Sequence, residues 1–91
     1  MRQLTVYGFY RQYESLWRSA RPGSAARAAY GFLSDVLKRV LYLSQARSAV
    51  EARLVVLRRE VGRVRGFRHA RVLDQIAIFE HFLEEIRGRD D

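Results

Sequence analysis

A chain of 91 residues that is 48% hydrophobic, with one proline and six glycines, carries enough apolar side chains for one folded domain and too many for a disordered tail. It has no cysteine, which excludes a disulfide framework, a thiolate metal site and a thiol nucleophile, and which agrees with a reducing intracellular compartment. Its net charge of +7 comes almost wholly from arginine, 16 of the 17 basic residues, whose planar fork grips carboxylates and phosphates in two-pronged fashion. A GC-rich genome produces the same bias, so composition alone assigns the arginines no role. The longest apolar runs are four residues, as at 40–43 and 54–57, far below the roughly 20 residues of a membrane-spanning helix, and no transmembrane segment is expected.

The first segment, about residues 3–20, reads as a helix. Val6, Tyr10, Tyr13, Trp17 and Ala20 recur at alternating steps of four and three, and Phe9 and Leu16 widen that face. A strand over residues 4–10 is suggested by Val6, Tyr7 and Gly8, but the required alternation is missing. Arg21-Pro22-Gly23-Ser24 then halts the helix, and Ser24 is placed to cap the next. From Ala29 a stripe continues through Leu33, Val36, Val40 and Leu43, is interrupted at Arg47, and resumes at Val50, Leu54, Leu57, Val61 and Val64. It allows one helix of about 40 residues, or two helices over about 25–44 and 48–65, parted near residues 44–48 where Ser48 and Glu51 make a capping box. No glycine or proline there compels the break.

Gly66 marks the next turn, and a last helix over about 70–87 is expected to bury Val72, Ile76, Phe79, Leu83 and Ile86. The expected fold is all-α: a single domain over residues 1–91, built as an antiparallel three- or four-helix bundle. The version with one long central helix is too thin to bury its own stripe and implies a dimer.

Charge is unevenly spread. Residues 1–73 carry a net +11 and residues 74–91 a net −4, an asymmetry that invites head-to-tail packing within one chain or between two copies. The densest basic tract, residues 53–71, holds seven arginines and one glutamate. Arg58, Arg59, Arg63, Arg65, Arg68 and Arg71 form a basic patch able to neutralise phosphates, which makes nucleic acid the alternative partner. On a helix, however, Arg58 and Arg65 flank the apolar stripe while Arg59 and Arg63 point nearly opposite, so the charge encircles the segment. Such arginines also serve to cover apolar surface with their stems.

The first helix has a sharper geometry. Arg11 and Arg18, seven residues apart, share one edge, with Glu14 between them able to pair with Arg18. The broad ring face lies alongside, and rings with guanidinium groups are common in interface cores. Catalysis finds little support: His69 and His81 are the only histidines, and there is no glycine-rich phosphate loop. His81 with Glu80, Glu84 and Glu85 could hold a hard cation weakly, but a solvated acidic helix face explains the grouping more simply. No enzymatic activity, metal or cofactor is expected.

Phe9-Tyr10-Arg11, then Arg18 and Arg21, a helix-ending Pro22-Gly23 and Phe32 further on resemble the LYR-motif family of small mitochondrial proteins. The resemblance covers about residues 7–32. It implies a basic helical accessory subunit or assembly factor of respiratory and iron–sulfur enzymes, located in the mitochondrial matrix and bound to an acidic acyl carrier protein. By that resemblance Tyr10 and Arg11 belong to the signature, Arg18 and Arg21 face the carrier, and Phe32 matches the downstream phenylalanine. Phe9 replaces the leading leucine, Leu33 stands where a basic residue usually follows, and the acidic last segment has no obvious counterpart. Residues 1–27 carry five arginines against Glu14 alone, a transit-segment composition, and this stretch is expected to be kept for folding or docking. The expected function is therefore a non-enzymatic helical interaction module within a larger complex, docking an acidic protein through Tyr10, Arg11, Arg18, Arg21 and Phe32.

Overall fold

A computed structural model describes residues 4–89 of the chain. The steps of three and four produce four helices, α1 (Leu4–Ser19), α2 (Ala25–Arg39), α3 (Leu43–Val61) and α4 (Phe67–Ile86), with no strand among the described residues. Connections of three to five residues make sequential helices run antiparallel. Helix α1 lies on α2, α2 on α4, and α4 on α3. Among the described residues no helix is long and apolar enough to cross a membrane.

The first break follows the expected chemistry. Gly23 takes φ 81°, a left-handed value open to glycine, and Ser24 in extended backbone caps α2. Its Oγ accepts from the Arg27 N–H at 3.0 Å and donates to the Arg21 carbonyl at 2.7 Å. Ser24→Ala is expected to destabilise the chain by about 1 kcal/mol, and Ser24→Gly by only a few tenths. Urea unfolding of both variants checks this; equal losses would mean that the hydroxyl is not the cap.

The second break corrects the sequence-based expectation. The chain turns at residues 40–42, with Val40 and Tyr42 extended, and Ser48 lies inside α3 rather than at its start. The cap comes from downstream: Gln45 Oε1 accepts from the N–H groups of Leu41 at 2.9 Å and Tyr42 at 3.2 Å. The earlier start lets Leu43, Ala46, Val50, Leu54 and Leu57 form one buried face. The apparent interruption at Arg47 arises because Ala46, a small residue, carries the stripe there. A single 40-residue helix is ruled out by this turn. Helix α3 also ends four residues earlier than expected, at Gly62, and α4 starts three residues earlier, after Gly66 at φ 64°.

The core is almost wholly apolar. Val6, Leu33, Leu37, Leu43, Leu54, Leu57, Phe79 and Ile86 are fully enclosed. Phe82 sits at the centre, with the Tyr13 and Phe9 rings meeting it edge-on at centroid distances of 5.5 and 6.2 Å. Phe32 meets Phe79 in the same way at 5.4 Å. Leu37 and Phe82 are buried where the expected stripes place Val36 and Leu83, both of which are half-buried. Leu33, Val72, Phe79 and Ile86 of those stripes are buried as expected, and the buried arc widens to Leu37 and Phe82 because α2 and α4 each pack against more than one neighbour.

Candidate functional site

Helix α1 presents its rings and cations on the side facing α2 and solvent. Tyr7 is 42% exposed, and the Arg11 guanidinium stands 5.9 Å from its ring centre while Nη1 donates to the Tyr7 hydroxyl at 3.1 Å. One turn on, the Tyr10 hydroxyl donates to Glu14 Oε2 at 2.8 Å, and the same carboxylate oxygen lies 3.7 Å from Arg18 Nη2. Glu14 therefore links Tyr10 to Arg18, as the i, i+4 spacing requires. Arg18 keeps most of its side chain in water.

Trp17 closes the row. Its indole edge lies so close to α2 that a Cβ at Gly31 would be 3.1 Å from indole Cδ1 and Nε1, tighter than side chains normally tolerate. Arg27 covers the ring face at 4.7 Å and is fixed by donation from Nη1 to the Ala20 carbonyl at 3.2 Å. A shallow groove of about 450 Å³ runs between α1 and α2, lined by Tyr10, Glu14, Trp17, Phe32, Asp35 and Lys38. Phe32 is half-buried there, one edge on Phe79 and its ring 5.8 Å from the Arg53 guanidinium.

Tyr10 and Phe32 thus meet at one groove, with Arg18 tied to its rim through Glu14. Arg11 does not line this groove and sits instead on Tyr7. Arg21 lies beyond α1, its side chain exposed and its carbonyl accepting from the Ser24 N–H and hydroxyl. The five residues form an extended edge rather than one pocket.

The basic tract divides. Arg58 turns to α4 and pairs with Glu80 at 2.9 Å. Arg71 donates from Nη1 to the Gly23 carbonyl at 2.7 Å, stitching the α3–α4 turn to the α1–α2 turn, and lies 5.9 Å from the Phe67 ring centre. Arg59, Arg63 and Arg68 gather with Val56, Glu60 and Val64 around a second groove. Arg65 is exposed in the turn itself.

The acidic face of α4 is also taken apart by its partners. Glu85 accepts from the Tyr13 hydroxyl through Oε1 and from Gln12 Nε2 at 3.5 Å through Oε2, and it lies 3.7 Å from His81 Nε2. Glu80 goes to Arg58 and Glu84 to Arg87. Among the described residues no three His, Asp or Glu side chains gather as a cation site. Burial, and secondly the bond to Glu85, raise the Tyr13 hydroxyl above the usual tyrosine range. Sequence reasoning missed the Tyr13–Glu85 pair, the seat of Trp17 on Gly31 and the exposure of Phe67. The first two depend on how helices cross; the third had a local signal, a phenylalanine between glycine and arginine outside any stripe. Compared with known proteins, the chain matches no family model, no curated protein and no solved structure.

Proposed function

We propose that the protein is a non-enzymatic helical interaction module, an adaptor, assembly factor or accessory subunit, that docks an acidic protein along the ring-and-arginine edge of α1. The supporting observation is the row Tyr7, Arg11, Tyr10, Glu14, Arg18 and Trp17. Its rings are half-exposed yet held by hydrogen bonds and cation–ring contacts, and two guanidinium groups face outward beside them. Pre-positioned aromatic and arginine side chains lose little freedom on binding and supply the energetic centre of many interfaces. Arg21, exposed past the helix end, extends the positive edge. Under the LYR-like resemblance the acidic partner is an acyl carrier protein, and the groove holding Tyr10 and Phe32 is the part of the edge that such a partner would cover.

A nucleic-acid-binding role for the basic tract is less favoured, because Arg58 and Arg71 are engaged within the molecule. Charge reversal of Arg11, Arg18 and Arg21 together is expected to abolish recovery of the acidic partner in affinity purification from native cells. Intact mass spectrometry of the purified complex identifies that partner. Unchanged recovery by the triple variant, with unchanged helicity, defeats the assignment.

A further inference from the structure

We propose that the end of the bundle carrying the α1–α2 and α3–α4 turns docks on an anionic lipid bilayer, with Phe67 as its apolar anchor. This goes beyond the protein-docking edge of α1 and does not depend on it. Antiparallel packing puts these two turns at one end, and the bond from Arg71 to the Gly23 carbonyl ties them together. Residues 18–27 and 59–71 bring eight arginines to that end against Glu60 alone. Helix α4 runs away from it, so Glu80, Glu84 and Glu85 lie towards the opposite end. The molecule is therefore electrically polar, and a negative surface orients it with these turns inward.

Phe67 decides what kind of negative surface fits. Among the described residues it is the most exposed large apolar side chain, at 77%, and it stands where α4 begins. The guanidinium of Arg71, itself anchored to Gly23, lies 5.9 Å from the ring centre. Arg63, Arg65 and Arg68, within four residues of Phe67 along the chain, are also exposed. An exposed apolar ring at an arginine-rich end matches the headgroup region of a membrane, where phosphates meet guanidinium groups and the ring enters the acyl boundary. A duplex has no apolar layer for such a ring, and a single ring does not form the stacking platform of a single-strand binder.

The full chain is tested by flotation with phosphatidylcholine vesicles, with and without phosphatidylserine, at two salt concentrations. Binding is expected only with phosphatidylserine and is expected to weaken with salt. Phe67→Ser is expected to reduce affinity about tenfold, from partial burial of one aromatic ring. Arg65→Gln and Arg68→Gln are each expected to reduce it about fivefold. Arg65 lies outside the helices, so its variant keeps the test open should Phe67→Ser disturb α4. No binding to phosphatidylserine vesicles at low salt overturns the proposal. So does full-strength binding by Phe67→Ser, which leaves only diffuse charge attraction. Binding to duplex or single-stranded DNA without vesicle binding assigns this end to nucleic acid and overturns it as well.

Discussion

Phe82→Ala is expected to destabilise the chain by about 3–5 kcal/mol, the usual cost of removing an enclosed phenylalanine. The ring is wholly buried and receives the edges of both Phe9 and Tyr13, so its removal empties the apolar contact between α1 and α4 at this level. Native domains are stable by only about 5–15 kcal/mol, so one such loss leaves a chain of this size near its unfolding threshold. Leu83, one residue on and half-buried, provides the contrast. Leu83→Ala is expected to cost clearly less than Phe82→Ala, because part of that side chain is already in water. Urea midpoints of the two variants decide the rotational setting of α4. If Leu83→Ala proves the more damaging, α4 turns Leu83 rather than Phe82 into the core, and the Phe9–Phe82–Tyr13 cluster is wrong.

The same comparison marks how far the sequence could be read. The existence of helices was legible because apolar steps of three and four persist along most of the chain, and Pro22-Gly23-Ser24 announced the first turn with residues of fixed conformational preference. The turn at residues 40–42 was not legible, since it contains no glycine or proline and is capped by a glutamine side chain reaching back from α3. Facing errors at Leu37 and Phe82 share one cause: α2 and α4 each pack on more than one helix, so their buried arc is wider than a single stripe. On the α1 edge, the local pairs Arg11–Tyr7 and Arg18–Glu14 follow from spacing of four residues. Its groove does not, because Trp17 and Phe32 come to line it together only where α1 packs on α2 at Gly31. Arg71 and Gly23, 48 residues apart, are joined by the closed bundle alone. Spacing sets Arg58 beside the apolar stripe and Arg59 and Arg63 away from it, but it does not tell that Arg58 pairs with α4 while Arg65, on the same edge, stays exposed.

Tyr13→Phe is expected to leave a protein less stable than the parent at neutral pH and more stable in strong alkali. At neutral pH the variant loses one hydrogen bond, from the enclosed hydroxyl to Glu85, worth about 1 kcal/mol. Glu85→Leu is expected to cost about 1–2 kcal/mol, because it strands that hydroxyl; the figure is held down because the Glu85 side chain keeps 27% of its surface in water. With both changes made together the loss should be smaller than the two combined, the signature of direct coupling. Alkali reverses the order for a definite reason. Burial and the Glu85 carboxylate both oppose a phenolate at position 13, so the folded chain holds this proton to higher pH than the unfolded chain does. A tyrosine in the unfolded chain releases its proton near pH 10, hence this contribution is complete below about that pH and declines above it by about 1.4 kcal/mol per pH unit. Phenylalanine has no proton to lose. Unfolding midpoints of parent and Tyr13→Phe should therefore run apart up to about pH 10 and cross near about pH 11. The remaining tyrosines and all arginines are common to both chains and cancel in the comparison. Curves that stay parallel through that interval would mean that the position-13 hydroxyl titrates as freely as one in water, and that Tyr13 and Glu85 do not join α1 to α4.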